Sequence, residues 1–334
     1  FPFKGKPLNQ DKLDAGLARV DDLAGIKVQA GLQAGTTEGT TDLLVKVTDQ
    51  PLLSSYLSLD NSGGRQTGRD KATAVATLAS PFGFGETVGF TALHSQGTDY
   101  GRVALNLPVG FNGLQFGANA SFMAYDVIAK ESKDKGYAGH SSSFAVNAQY
   151  PIFKNKTTKL SATVEAEQKF FANRSEAEGK TSDYDLKVFS FNLAGDHADN
   201  FLAGAQNTAG LNLGFGNVDL SGSKNQKDDH DYAHTDGSYT RLRWNLSRVQ
   251  FLNDSVSLTL SGSGQFANTN LDPSEKFYLG GVNGVRAYPT SEGSGSEGYL
   301  FAAELRKYLP NNFTVSTFID HGSVKQFETN RDIT

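Results

Sequence analysis

The sequence predicts a membrane-spanning antiparallel β-barrel preceded by a partial α/β domain. Three observations predict it. From Leu52 onward, segment after segment alternates apolar and polar residues with a period of two, and charges gather on one of the two faces. Short turns and long polar connections alternate between those segments, the asymmetry that outer-membrane barrels show. No apolar run approaches the ~18 residues of a membrane helix. A mean hydropathy of −0.40 fits the same picture, because lipid-facing and lumen-facing residues average out along each strand.

Residues 1–50 read differently from the rest. Asn9 is a good N-cap, with Asp11 and Asp14 in the first turn. Leu13, Leu17, Val20 and Leu23 fall on one helical face. Gly25 is a suitable residue to end that helix. Two short strands follow, 26–34 and 42–48, and Pro51 marks the boundary with residues 51–334.

The alternating segments are clearest at 113–125, 141–150, 158–169, 239–247 and 298–309. Their parity puts Phe116, Phe144, Val164, Leu242, Trp244 and Phe301 on a lipid-facing side. It puts Gln115, Asn147, Glu165, Arg241, Arg243, Glu304 and Arg306 in the lumen. A wet lumen behind an apolar wall explains such charges better than the dry core of a soluble sandwich. Short turns are expected at 80–85, 107–113, 150–156 and 309–312, and longer connections at 61–69, 126–139, 173–182, 223–236 and 268–297. The pattern gives about thirteen strands.

The stretch Leu279–Gly298 has no hydrophobic period and is rich in glycine, so it predicts a long loop with positions free to take φ > 0. Amid the glycines sits one compact cluster, Val285-Arg286-Ala287-Tyr288-Pro289. Long loops without structure are uncommon and usually functional or disordered. A linker has no use for such a cluster.

Composition narrows the function. Lys+Arg number 31 against 36 Asp+Glu, a net charge of −5, which argues against a nucleic-acid partner. There is no Cys, hence no disulfide framework and no thiolate chemistry. The six His show no His-Glu-x-x-His spacing. The run Asp228-Asp229-His230-Asp231-Tyr232-Ala233-His234 has metal-ligating types but reads better as a solvated outer loop, so no metal is expected. Gly280–Gly284 lacks the Lys-Ser/Thr of a phosphate loop, which leaves no nucleotide site and no cofactor. Glu165 and Glu167 read as lumen charges rather than an acid/base pair. No catalytic residue is expected, and the protein is not read as an enzyme. Phe1 stands at the start and Met123 is the one methionine, so the chain reads as a piece of a longer protein.

Four motifs carry a resemblance: Phe277-Tyr278-Leu279-Gly280-Gly281, Val285-Arg286-Ala287-Tyr288-Pro289, Glu292-Gly293 and Glu304-Leu305-Arg306. A fifth, Phe318-Ile319-Asp320-His321-Gly322, follows in the right order. Together they resemble the signature of two-partner secretion transporters of the haemolysin secretion/activation type. Those are outer-membrane proteins that export large haemolysin- and adhesin-like passengers. The likeness extends over nearly the whole chain. It implies a sixteen-stranded barrel with its signature loop, here 271–297, between the eleventh and twelfth strands. About three strands would then follow Thr334.

The resemblance implies that residues 1–50 are the C-terminal part of a POTRA domain, probably the second, which lies in the periplasm and captures the unfolded passenger. It implies that the loop folds back into the lumen and that Arg286 meets Asp320 there, flanked by Phe318 and Gly322. Tyr288 is expected to pack on the lumen wall. Ala287 departs from the family pattern, where Gly is common, and Ala does not readily take φ > 0. The expected partners are a secreted passenger protein and outer-membrane lipid. Other readings are a related factor that inserts barrels into the outer membrane, a passive porin, and a soluble all-β binding protein.

Overall fold

The computed structural model describes residues 7–327, apart from residues 111 and 178. The turn expected at 107–113 therefore lies partly outside the described residues, at Phe111.

Helix α1 (Gln10–Asp21) buries Leu13 and half-buries Leu17 and Val20. The side chain of Leu13 lies on the face that the 3.6-residue period assigns to the sheet beneath. Leu23 closes the helix with a bond to the Val20 carbonyl, and Gly25, at φ +83°, turns the chain out. Strands β1 (Ile26–Ala34) and β2 (Thr41–Asp49) pair antiparallel from Ile26–Asp49 to Ala34–Thr41. This small sheet, with α1, forms an N-terminal module separate from the main sheet.

The main sheet opens with β3 (Leu53–Asp60), β4 (Lys71–Ala79), β5 (Thr87–Ser95), β6 (Thr98–Val109) and β7 (Leu114–Asp126). It lengthens through β8 (Tyr137–Lys154), β9 (Thr158–Ser175), β10 (Lys180–Asp199) and β11 (Ala205–Asp219). Then come β12 (Gly237–Asn253) and β13 (Val256–Ala267). The long loop carries only two two-residue strands, β14 (Phe277–Tyr278) and β15 (Ser294–Gly295), which pair with each other. Strands β16 (Glu297–Tyr308) and β17 (Thr314–Lys325) follow. Thirteen strands, β3–β13 with β16 and β17, form one all-antiparallel sheet in which each strand pairs with the sheet's next strand along the chain.

That sheet is curled. Flat, with strands ~4.8 Å apart, its first and last strands would stand roughly 58 Å from each other. Yet Thr290 Oγ1 donates to the Ser62 carbonyl beyond β3 at 2.7 Å, while Arg286, four residues earlier, bonds Asp320 of β17. Four residues span at most ~14 Å, so both ends of the sheet lie within about 30 Å through the loop.

Register fixes the two faces. Gly117, Asn147, Glu165, Ser190, Gly214 and Arg241 stand opposite one another in one row across six strands. The loop covers this inner face. Phe116, Phe144, Val164 and Phe301 are exposed on the other face, where Trp244 lies 5.9 Å from the Phe301 ring.

Three details differ from the sequence expectation. The connection expected at 173–182 is mostly strand, because β9 and β10 keep pairing as far as Ser175–Lys180. The stretch 279–298, expected to hold no strand, contains β15 and the start of β16. The inner face is not wet throughout: Leu186, Val188, Val218, Leu220 and Tyr239 form an apolar cluster around Leu271 of the loop. A loop that lies on the inner face gives inward apolar residues something to bury against.

The N-terminal module touches the sheet at two turns on one side. Ala24 donates to the Gly85 carbonyl at 3.4 Å, Asp22 pairs with Lys154 at 2.5 Å, and Asp14 pairs with Lys156 at 2.9 Å. The first of those turns is tied by Glu86. Burial opposes its charge, but the backbone N–H groups of Phe82 and Phe84 outweigh that and hold its carboxyl below the usual range.

Candidate functional site: the lumen loop and its anchors

The loop leaves β13, runs inward over the sheet and returns to β16. Three residues take the left-handed conformations it needs: Gly281 (φ +114°), Ser291 (φ +65°) and Gly293 (φ +68°). Ala287 has no positive φ, so the departure from glycine at that position costs the turn nothing. Tyr288 donates to the Val285 carbonyl at 3.0 Å and closes a tight turn around Arg286 and Ala287.

That turn aims Arg286 at the wall. Its Nε donates to Asp320 Oδ2 at 2.8 Å and its Nη2 to Asp320 Oδ1 at 2.6 Å, a fork of two parallel bonds. The Arg286 backbone N–H adds a third bond to Oδ2 at 3.1 Å. The remaining nitrogen, Nη1, donates to Glu304 Oε2 at 2.6 Å, and Arg306 holds the other oxygen of Glu304. The Asp320 side chain is only 4% exposed, so its charge depends on this pairing.

The Phe-x-Asp-x-Gly motif has a physical reading here. On β17, Phe318, Asp320 and Gly322 alternate onto the inner face, opposite Glu304, Ala302 and Leu300 of β16. Phe318 lays its ring 3.5 Å from the Arg286 guanidinium centre, a cation–π contact. Asp320 takes the fork. Gly322 leaves room: a Cβ there would stand 2.5 Å from Leu279 and 3.3 Å from Val285. Each motif residue thus meets a different part of the loop. A planar guanidinium can make the fork and the ring contact together, which an ammonium cannot.

Val285 is buried against that wall, whereas Tyr288 is 51% exposed. The expected packing of Tyr288 on the lumen wall is not what the structure shows. Val285 takes the wall instead, beside Gly322.

Arg241 and Arg243 lie elsewhere, on β12. Arg241 bonds Glu275 and donates to Asn212 Oδ1 at 2.7 Å. Arg243 Nη2 donates to the Glu275 carbonyl at 2.8 Å. The site residues therefore form two groups. One joins Arg286, Glu304, Arg306, Phe318, Asp320 and Gly322. The other joins Arg241 and Arg243 around Glu275. Sequence reading missed Glu275, which sits in a polar run, Asp272-Pro273-Ser274-Glu275-Lys276, like any solvent loop. Its one signal was an excess of inward cations on the facing strands. Among the described residues no cluster of His, Cys, Asp and Glu has metal-binding geometry.

Comparison with known proteins accords with this architecture. A relative in Haemophilus influenzae, the heme/hemopexin transporter protein HuxB, is 25% identical over 330 residues, covering 97% of this chain and 58% of its own length. The hemolysin transporter protein HpmB of Proteus mirabilis is 25% identical over 98% of this chain and 60% of itself. This chain thus spans about three fifths of the curated relatives it matches. Among solved structures, CdiB from Escherichia coli superposes with a TM-score of 0.77 at 19% identity, over 99% of this chain and 63% of that one. BamA from Haemophilus ducreyi, lacking POTRA domains 1–3, gives 0.60 at 14% identity, over 96% and 67%. At such identities the likeness shows the fold alone. The family model described as haemolysin secretion/activation protein ShlB/FhaC/HecB matches residues 39–334, and the chain belongs to that family.

Proposed function

We propose that this chain is the conducting part of an outer-membrane pore that exports a large unfolded passenger protein. The curled sheet spans the membrane as a β-barrel. Sixteen strands, the number the resemblance implies, close it with three more between β17 and β3. Residues 1–50 are the C-terminal part of a periplasmic POTRA domain. Its open sheet edge captures the passenger by adding a strand. The passenger then crosses the lumen past the loop around Arg286. Folding of the passenger outside supplies the drive.

The observation that carries this reading is the loop on the inner face, fixed by the forked Arg286–Asp320 pair. A passive porin has no use for it. The likeness to BamA leaves barrel insertion as the second reading. The family match and the transporter names of the relatives favour export.

The test is passenger secretion by full-length protein in an outer membrane. Arg286→Ala and Asp320→Ala should each abolish it with little change in insertion, and Arg286→Lys should impair it partly. Arg286→Asp with Asp320→Arg should recover some activity. Normal secretion by both single Ala variants would refute the mechanism. A loss of barrel insertion in the same cells, with export intact, would favour the second reading. The membrane placement has its own check. Val164→Arg should cost about 2–4 kcal/mol of refolding free energy in lipid, and Thr163→Arg much less. Equal losses would reverse the faces.

A further inference from the structure

The lumen loop is held a second time, at its base, by residues that belong to none of the sequence motifs. Glu275 is 1% exposed and lies between two cations on the inner face. Lys169 of β9 donates to its Oε1 at 2.6 Å, and Arg241 of β12 meets its Oε2. Its backbone carbonyl accepts from Arg243 at 2.8 Å and from Gln265 Nε2 at 3.0 Å. Gln265, at the end of β13, also donates to the Ser296 carbonyl at 2.9 Å on the returning leg. Leu271 N–H donates to Ser296 Oγ at 3.0 Å, which ties the two legs directly. Beside them Asp272 accepts from the Tyr184 hydroxyl at 2.9 Å. Leu271, fully buried, plugs the apolar cluster of β10, β11 and β12.

These contacts reach β9, β10, β11, β12 and β13. The Arg286 group reaches only β16 and β17. No residue is shared between the two sets, and the chain between them, 279–284, contains the glycines 280, 281 and 284.

We infer that the loop has two independent anchors and that Glu275 is the positioning residue of the one at its base. Its carboxylate offsets Lys169 and Arg241, which would otherwise repel each other in a confined space. It thereby fixes where both legs enter the lumen. The Arg286 anchor fixes only the far arm. Breaking the far anchor frees residues 279–289 about their glycines, up to the Thr290–Ser62 bond, while 270–278 and 294–296 stay seated through the β14–β15 pair. The inference concerns the resting position of the loop and stands whether or not a passenger crosses the lumen.

The chain has no cysteine, so one introduced thiol reports one place. Ser296→Cys marks the base and Val285→Cys marks the far arm; both positions are buried. The full-length protein in outer-membrane vesicles is labelled with a membrane-impermeant maleimide. Arg286→Ala should raise labelling at position 285 by about tenfold or more and leave position 296 protected. Glu275→Gln should do the reverse. General loosening of the barrel would raise both thiols together, so the split between positions separates an anchor from a merely structural residue. If Glu275→Gln does not insert, Lys169→Met removes the more exposed partner and should expose position 296 in the same way. Either variant exposing both positions equally, or Glu275→Gln and Lys169→Met both leaving position 296 protected, overturns the inference.

Discussion

The sheet holds two other pieces of this chain, and it holds them by opposite means. Inside, Arg286 and Glu275 lock the loop through charge-assisted bonds whose carboxylates are withdrawn from water. At the turn side, the N-terminal module touches the sheet through two ion pairs whose carboxylates, Asp22 and Asp14, stay 39% and 29% exposed, Asp22–Lys154 and Asp14–Lys156, and one long backbone bond. Charge serves both contacts, but dielectric decides what it does. A pair confined with its partners cannot be exchanged for water, so it fixes position. An exposed pair trades with solvent and salt at little cost, so it biases position without fixing it. The loop is set and the module is adjustable.

The largest expected effect breaks the inner side of that contrast. Asp320→Ala removes the fork and leaves Arg286 with Glu304 alone; it should cost about 2–3 kcal/mol, somewhat less than breaking a fully buried pair because the guanidinium stays partly exposed. Asp22→Ala, the same deletion at the module, should cost under ~1 kcal/mol. Denaturant titration of both variants in the same lipid gives the comparison, and equal losses would erase it. A middle effect is expected from Gly322→Ala. The added methyl meets Leu279 and the Tyr299 carbonyl at 2.8 Å or less, and should cost about 1–3 kcal/mol of loop docking. The readout is protease cleavage within 279–293. Protection unchanged from the parent would show that the wall yields there. The smallest effect sharpens the outer side. Lys154→Ala with Lys156→Ala should weaken module docking by roughly 1 kcal/mol at low salt and by almost nothing near 1 M salt, where the Debye length is ~3 Å. Cross-linking between the module and the 155–157 turn reads it. A loss that persists in high salt would mean that packing at Leu23 and Gly85, not charge, holds the module.

Legibility in the sequence divides along a physical line. Strands were legible because a period of two survives in each segment: Phe144, Val146 and Tyr150 are exposed on one face, with Asn147 on the other. Helix α1 was legible from its cap and its Leu13–Leu17–Val20 spacing. The pairing of Arg286 with Asp320 was implied by the resemblance that their two compact motifs carry. Glu275 was not legible, because its partners come from β9 and β12, 106 and 34 residues away. No local pattern records a contact made by curling a sheet. The apolar cluster around Leu271 was hidden for the same reason. Leu186 and Val188 look like lipid-facing residues until the loop arrives to cover them.

The bond from Thr290 to Ser62 bears on how the molecule assembles. Every ladder in the main sheet except β13–β16, which the long loop separates, joins strands adjacent in the chain, so each hairpin can form as soon as its own two strands are available. The Thr290–Ser62 contact joins residues 228 apart. Direct closure over that separation is slow compared with hairpin formation, and hairpin-by-hairpin growth brings the two ends together instead. The contact therefore belongs to the end of folding, and its formation reports that the sheet has bent far enough for its first hairpin to meet its own interior.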